Sequence, residues 1–187
     1  MAKLIYLTNV SVDGFIEDEG GDFAWFPPDD EVFVFCTEAL QSAGTFLYGR
    51  RLYEAMAVWE TDPSLAARSG LMAEFAGAWQ AADKIVYSTT LGGVSTARTS
   101  LESRFDPAAV EKLKATADRD ITIGGADLAG QAIRAGLVDE CQLLVWPLAV
   151  GGGKPALPTG VRTNFEPLGE RRFGNGVVLL RYRPVGN

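Results

Sequence analysis

The sequence predicts an α/β fold, in which a mainly parallel sheet carries helices on its faces and antiparallel strands at its C-terminal edge. Apolar strand-like segments alternate with helical segments as far as about residue 150, and the segments after it are strands with no helix between them. A helical crossover favours parallel pairing, whereas consecutive strands pair antiparallel. No internal repeat or low-complexity linker divides the sequence, so residues 1–187 are predicted to form a single domain.

The first part of the chain is predicted to contain two strands and three helices. The first strand alternates apolar and polar residues, and the second is a short apolar run that ends at Gly49. The first helix opens with Asp29 and Asp30, which are residues favoured at helix N-caps. The predicted elements are a strand at 3–12, a helix at 29–43, a strand at 45–49, a helix from Arg50 to about Trp59 and a helix at 69–82.

The remainder is predicted to contain three more strands, two helices and a C-terminal hairpin. Pro107 begins one helix, since proline is tolerated at the first helical position, and Gly136 ends the other. A glycine-rich turn at 174–176 separates the last two strands. The predicted elements are a strand at 84–90, a helix at 107–117, a strand at 121–125, a helix at 126–136, a strand at 140–150 and a hairpin at 165–184.

Charge and composition argue against several classes of partner. The net charge is −7, whereas nucleic acids and anionic membranes are bound largely through excess lysine and arginine. No apolar run approaches the ~20 residues that cross a bilayer, and the N-terminus lacks the pattern of a signal peptide. We therefore expect a soluble cytoplasmic protein. Cys36 and Cys141 lie in apolar segments and are expected to be buried free thiols.

The sequence contains no histidine. This excludes the Ser-His-Asp and Cys-His hydrolases, the HExxH metalloproteases and the histidine-containing zinc deaminases. No transition-metal site is expected, because only two distant cysteines are left as soft ligands. Any chemistry must use carboxylates, hydroxyls, amines or a bound cofactor.

Two arginines stand at the start of a predicted helix, directly after the strand that ends at Gly49. Arg50 and Arg51 oppose the helix dipole, which favours acids at this end. A glycine, a helix N-terminus and two guanidinium groups together suit a phosphate. The alternative is that the arginines pair with surface acids such as Glu54 or Glu60.

A second strand delivers Gly124 and Gly125 into a helix that starts with Ala126, Asp127 and Leu128. Missing side chains and free helix amides would let a diphosphate contact the backbone here. The segment is not the G-x-G-x-x-G dinucleotide motif. The alternative is a tight turn in which Asp127 stabilises the helix dipole.

A third strand end carries hydroxyl groups at Ser88 and Thr89, which alone are more typical of a turn than of a ligand contact. Because the carboxyl ends of parallel strands share one edge of a sheet, the three strand ends together outline an extended ligand. A glycine-rich stretch at 151–153 resembles a Walker A loop, but Pro155 replaces the required hydroxyl residue. We interpret it as a flexible loop with Lys154 in solvent.

Five segments in order, SVDGFIED, LYGRRLYEAM, IVYSTT, ITIGGADLAGQAI and GLVDECQLLVWPLAVGGGKPALP, resemble the dihydrofolate reductase superfamily. The closest resemblance is to the branch containing the C-terminal reductase domain of riboflavin-biosynthesis bifunctional deaminase-reductases. It implies a three-layer dihydrofolate-reductase-like sandwich. It also implies NADPH-dependent hydride transfer to a C=N or C=O bond of a small pterin- or pyrimidine-like substrate. A binding-only sensor of the same fold, or a reductase that uses a deazaflavin, is the alternative.

The resemblance also implies which residues contact NADPH. Arg50 and Arg51 match the helix start that binds the phosphates, including the 2′-phosphate, and the two glycines match a pair that this family usually joins by a cis peptide. The implied cofactor-binding residues are Asn9, Val10 and Ile16 at the nicotinamide end, Gly49, Arg50 and Arg51, Ser88 and Thr89 beside the adenosine half, and Gly124, Gly125, Ala126, Asp127 and Leu128 at the diphosphate.

The expected substrate contacts are Trp25 and Asp30 of a W-x-x-P-x-D stretch at 25–30, which is similar to a stretch in the folate enzymes whose acid binds a pterin edge. The alternative role of Asp30 is helix capping. Asp13 is a second candidate acid or a turn residue, and Tyr53 is either a substrate contact or a core residue. The proton would come from Asp30, Asp13 or water.

Leu52 and Ala129 depart from the folate enzymes, which commonly place a threonine and an aromatic residue at these positions. Leu52 weakens the phosphate assignment, and Ala129 weakens specificity for folate. The apolar stretch LLVWPLAV and the resemblance both favour a homodimer.

Overall fold

A computed structural model describes residues 1–26 and 29–185 of the chain. The strands in these residues are β1 (Leu4–Ser11), β2 (Phe15–Glu17), β3 (Ala43–Gly49), β4 (Asp83–Tyr87), β5 (Thr99–Glu102), β6 (Asp120–Gly124), β7 (Glu140–Trp146), β8 (Lys154–Pro155), β9 (Asn164–Arg172) and β10 (Val178–Val185). The helices are α1 (Asp30–Ser42), α2 (Arg50–Thr61), α3 (Pro63–Ala66), α4 (Gly70–Ala81), α5 (Pro107–Thr116) and α6 (Ala126–Arg134).

The main sheet has eight strands in the order β5-β4-β3-β6-β1-β7-β10-β9. The first six strands in this order, from β5 to β7, each pair in parallel with their neighbours among these six. Strand β10 pairs antiparallel with β7 and with β9, which forms the edge. The predicted α/β fold, with its mainly parallel sheet and antiparallel C-terminal edge, is therefore confirmed.

Helices pack on both faces of the sheet and make three layers. On one face, α5 and α6 bury a cluster that includes Tyr6, Ile123 and Ala132. On the other face, a second cluster joins α1, α2 and α4 to the sheet through Phe46 and Trp79. Both faces of the central strands are apolar, as expected for a parallel sheet that is covered on each side.

The helix starts fall into two groups. Asp29, Ser69 and Asp106 accept hydrogen bonds from first-turn amides of α1, α4 and α5, as N-cap residues do. Helices α2 and α6 instead follow Gly49 and Gly125, and within the described residues no side chain caps either helix. The amides of those two first turns are left for another partner.

The sequence did not predict four short elements, which are α3, β2, β5 and β8. Strands β2 and β8 pair only with each other, across a long stretch of chain, so neither carries a local signal. The prediction of a flexible loop is wrong for Lys154, which lies in β8. The predicted strand at 140–150 ends early, at Trp146, because Pro147 cannot donate a ladder hydrogen bond.

Candidate functional site

A groove of about 710 Å³ runs along the edge of the main sheet where β1, β3, β4 and β6 end. Its position is the one where open α/β sheets usually bind ligands, and its volume is typical of small-molecule sites. The residues that line it are Leu7, Thr8, Asn9, Ile16, Glu17, Phe23, Phe26, Gly49, Arg50, Arg51, Leu52, Ala55, Tyr87, Ser88, Thr89, Thr90, Ser103, Arg104, Phe105, Gly125, Ala126, Asp127, Leu128, Gln131 and Lys154.

Two helices begin side by side at the centre of this groove. Strands β3 and β6 are neighbours, so α2 and α6 start next to each other. A β-carbon built on Gly125 would lie 3.8 Å from the backbone nitrogen of Gly49. Neither helix has a side-chain cap among the described residues, and the first turns of both line the groove. Two such helix ends make a strong site for an anion.

The glycine pair is explained by close packing and by backbone conformation. A β-carbon on Gly124 would overlap Leu52 Cδ2, and Gly124 itself is buried away from the groove. Gly125 has φ of +91°, which side-chain-bearing residues rarely adopt. The peptide between the two glycines is trans, so the cis peptide implied by the resemblance is wrong here.

Arg50 points toward the hydroxyl-bearing end of β4. Its Nη1 donates to Thr90 Oγ1 at 3.3 Å, and its Nε lies 3.9 Å from a carboxylate oxygen of Glu54. The ion pair with Glu54 is long and half-exposed, which makes it weak. Glu60, the other acid considered, accepts instead from the amide of Ala97.

Arg51 points in a different direction, across the groove. Its Nη1 lies 2.9 Å from Glu17 Oε1 on the short strand β2. This ion pair could not be predicted from the sequence, since β2 was not predicted. A residue in the same small sheet, Lys154, makes a 2.6 Å ion pair with Asp127 in the first turn of α6. Lys154 is therefore not a solvated lysine, and its charge offsets that of Asp127.

Hydroxyl groups and an aromatic pair form the β4 end of the groove. Ser88 Oγ accepts from the amides of Thr90 and Leu91, so it forms a turn and also lines the groove. Phe105 lies 5.7 Å from Tyr87 between ring centroids, and Arg104 lines the groove beside it. The contributions of 103–105 were missed because β5, which brings them to this edge, was not predicted.

The groove thus gathers most of the predicted cofactor contacts. Those that line it are Asn9, Ile16, Gly49, Arg50, Arg51, Ser88, Thr89, Gly125, Ala126, Asp127 and Leu128. Val10 and Gly124 are buried and do not line the groove. Asn9 is held by Trp146, whose indole Nε1 donates to Asn9 Oδ1 at 2.9 Å.

The predicted substrate contacts are not brought to the groove. Asp30 is an exposed residue in the first turn of α1, and its neighbour Asp29 caps that helix, which supports the capping alternative. Trp25 packs on Phe26 with ring centroids 4.0 Å apart, and it is Phe26 and Phe23 that line the groove. Pro27 and Pro28 of the W-x-x-P-x-D stretch lie outside the described residues.

Asp13 and Tyr53 have structural partners away from the groove. Asp13 accepts from the amides of Val150 and Gly151. Hydrogen bonds hold the pKa of Asp13 below its usual value, and the Ser11 hydroxyl has a larger effect than these amides. Asp13 is therefore a carboxylate at neutral pH rather than a proton donor. Tyr53 is a buried residue of α2 and belongs to the same core cluster as Phe75 and Trp79 of α4, which supports the core alternative.

Both cysteines are free, Cys141 is buried and Cys36 is half-buried. Burial raises the pKa of each thiol to about 12, so neither is a nucleophile near neutral pH. In the part of the chain that the structure describes, no group of three or more acidic, cysteine or histidine side chains is arranged to hold a metal ion. None of the helices formed by residues 1–26 and 29–185 has the length and hydropathy needed to span a bilayer.

Comparisons with known proteins agree with this architecture. The family model for the RibD C-terminal domain matches residues 2–179. The chain is 29% identical over 185 residues to the uncharacterized protein YyaP of Bacillus subtilis, and the match covers 96% of this chain and 94% of YyaP.

Solved structures share the fold at low sequence identity. A Shewanella sp. PV-4 protein provisionally assigned to riboflavin biosynthesis superposes with a TM-score of 0.77 at 18% identity over the full length of both chains. A pyrimidine reductase-like protein of Corynebacterium diphtheriae has a TM-score of 0.66 at 14% identity, covering 100% of this chain and 93% of its own.

A longer Thermotoga maritima protein, a diaminohydroxyphosphoribosylaminopyrimidine deaminase/5-amino-6-(5-phosphoribosylamino)uracil reductase, has a TM-score of 0.64 at 15% identity. The match covers 98% of this chain, which spans 57% of the Thermotoga protein.

Proposed function

The chain belongs to the RibD C-terminal domain family, and from this premise we propose that it is a reductase that binds NADPH in the groove and reduces a small heterocycle. The observation that carries the proposal is the pair of uncapped helix starts, α2 and α6, which face one region of the groove. Amides from two helix N-termini suit a diphosphate, which is the central group of NADPH.

The residues along the groove fit the rest of the cofactor. We propose that Arg50, with the hydroxyl of Thr90 beside it, binds the 2′-phosphate that distinguishes NADPH from NADH. Ser88 and Thr89 would contact the adenosine half, and Arg104 adds a cation at the same end. Asn9 and Ile16 lie at the opposite end, which we assign to the nicotinamide. When bound, NADPH would supply the hydride.

The part played by the protein is to position the substrate. Phe23 and Phe26 give the groove two aromatic surfaces, on which a flat heterocycle can stack. The proposed substrate class is supported by two of the similar structures, which are a deaminase/5-amino-6-(5-phosphoribosylamino)uracil reductase and a pyrimidine reductase-like protein. We propose a pyrimidine- or pterin-like substrate that is reduced at a C=N or C=O bond.

We assign the proton to solvent water. Asp13 and Asp30, the other predicted sources of the proton, do not line the groove. Glu17 does line it, but its carboxylate is engaged by Arg51. A protein without an acid at the reacting atom can still accelerate the reaction by aligning the cofactor and substrate.

The test is a screen for NADPH oxidation in the presence of dihydrofolate, pterins and pyrimidine-type compounds. Saturable NADPH binding followed by substrate-dependent oxidation supports the proposal. Saturable binding without oxidation of any compound supports the binding-only alternative. An absence of NADPH binding contradicts both.

We also propose a homodimer. Leu143, Val145, Leu180 and Tyr182 are half-buried apolar residues on the face of β7 and β10 opposite α1. Such a patch would be covered well by a second copy. Light scattering that gives a dimer mass for the wild type and a monomer mass for Leu180→Glu supports this arrangement, and a monomeric wild type contradicts it.

A further inference from the structure

Glu17 lies in the wall of the groove and is engaged with Arg51. Its side chain is only 14% exposed, and Oε1 lies 2.9 Å from Arg51 Nη1. Arg50 contacts its two polar neighbours at 3.3 and 3.9 Å. Neighbouring arginines in one helix turn therefore have different partners, and only Arg51 faces a carboxylate across the groove.

Strands β2 and β8 form a small flap, the β2–β8 flap, consisting of residues 15–17 and 154–155. Its base is held by the amide of Ala156, which donates to the carbonyl oxygen of Gly14 at 2.9 Å. Asp13 adds hydrogen bonds from the amides of Val150 and Gly151. These hydrogen bonds join the two strands of the flap and the loops beside them at its base.

Two ion pairs join the β2–β8 flap to the groove. Glu17 pairs with Arg51 in the first turn of α2, and Lys154 pairs with Asp127 in the first turn of α6. These are the same helix starts whose amides face the groove. The flap is thus tied to both of them, and its position fixes one side of the site.

A phosphate at Arg51 would have to approach the carboxylate of Glu17. Like charges at short range repel, and the guanidinium already donates to that carboxylate. At Arg50 the neighbouring group on the groove side is the Thr90 hydroxyl, which can donate to a phosphate. The two arginines therefore differ in their ability to accept an anion.

We propose that Glu17 and Arg51 are positioning residues that hold the β2–β8 flap over the groove, and that Arg50 alone selects for the cofactor phosphate. The part that concerns the phosphate rests on the proposed function. The part that concerns the flap does not, because it rests on ion pairs between residues of the chain itself.

Amide hydrogen exchange in the ligand-free protein tests the flap. The informative amides are Phe15, which donates to Ser11 Oγ, and Ala156, which donates to Gly14 O. Glu17→Gln and Arg51→Ala should each speed their exchange about two- to fivefold, as expected for loss of a partly exposed ion pair. Combining the two substitutions should add little, because they remove the same contact.

Glu19→Gln is the matched control, since Glu19 is an exposed acid beside the flap that does not line the groove. It should leave the exchange of both amides unchanged, and so should Arg50→Ala. The flap role is overturned if the two amides exchange equally fast in Glu17→Gln and Glu19→Gln. It is also overturned if Arg50→Ala speeds their exchange as much as Glu17→Gln does.

The phosphate role is tested by the ratio of the NADH and NADPH dissociation constants. Arg50→Ala should reduce this ratio about tenfold or more, and Arg51→Ala should leave it within about twofold of the wild type. If the ratio falls equally in both variants, Arg51 is also a phosphate ligand and the proposal is overturned. If the wild type binds neither nucleotide, the proposed function fails, whereas hydrogen exchange still decides the flap role.

Discussion

Leu52 packs directly against Gly124, so that a β-carbon on Gly124 would overlap the end of the leucine side chain. Leu52 also lines the groove. The leucine that stands where folate enzymes commonly have a threonine therefore has a packing role in this chain. It covers the end of β6.

Gly124→Ala is predicted to destabilise the protein by about 1 to 3 kcal/mol, because the added methyl group overpacks a filled site. It should also push Leu52 into the groove and weaken nucleotide binding. Urea unfolding and a nucleotide titration measure the two effects.

The control is Gly124→Ala in a Leu52→Ala background, where the methyl group finds room. The destabilisation caused by Gly124→Ala should be much smaller there. An equal destabilisation in both backgrounds contradicts the packing explanation.

Tyr53→Phe is predicted to destabilise the fold without changing ligand binding. The Tyr53 hydroxyl accepts from the amide of Ser95 at 2.8 Å and is 3.1 Å from Thr96 Oγ1. Removing the hydroxyl leaves that amide without this acceptor, which costs about 1 to 3 kcal/mol. Chemical unfolding and a substrate titration check the two halves. A loss of substrate affinity at unchanged stability would restore Tyr53 as a substrate contact.

Asp13→Asn is predicted to destabilise the base of the β2–β8 flap in a pH-dependent way. The folded-state pKa of Asp13 is depressed, first by the Ser11 hydroxyl and then by backbone amides, so its contribution is fully present above the unfolded pKa of about 4. It is lost as the pH falls through the lower folded pKa. The stability difference between wild type and variant should therefore be largest near neutral pH and shrink below about pH 4.

Unfolding curves at pH 7, 4 and 3 measure that difference. A difference that stays constant from pH 7 to pH 3 would mean that the charge of Asp13 does not stabilise the base of the β2–β8 flap.

The central elements could be predicted from sequence because their signals are local. Strand β6 is an apolar run that leads into two glycines, and α5 begins at Pro107 behind the cap residue Asp106. The same local signals predicted that Gly49 and Gly125 lie at one edge of the sheet, since the carboxyl ends of parallel strands lie together. The centre of the groove was therefore predictable.

The contacts that were missed are long-range. Arg50 and Arg51 look equivalent in sequence, and they differ only because Glu17 reaches Arg51 from a strand of three residues. Lys154 reaches Asp127 from a strand of two residues. Strands this short have no periodicity to recognise, so the contacts of their side chains are found only in the folded structure. Asp30 was ambiguous for another reason, since an acid at a helix start suits both capping and ligand binding.

Titration of NADPH and NADH by fluorescence, on the wild type and on Arg50→Ala, tests the central claim most directly. We predict saturable binding of NADPH, a clear preference over NADH, and a loss of about tenfold or more in NADPH affinity in the variant with little change for NADH. No saturable binding to the wild type, or the same preference in both proteins, would contradict the assignment of the groove and of Arg50.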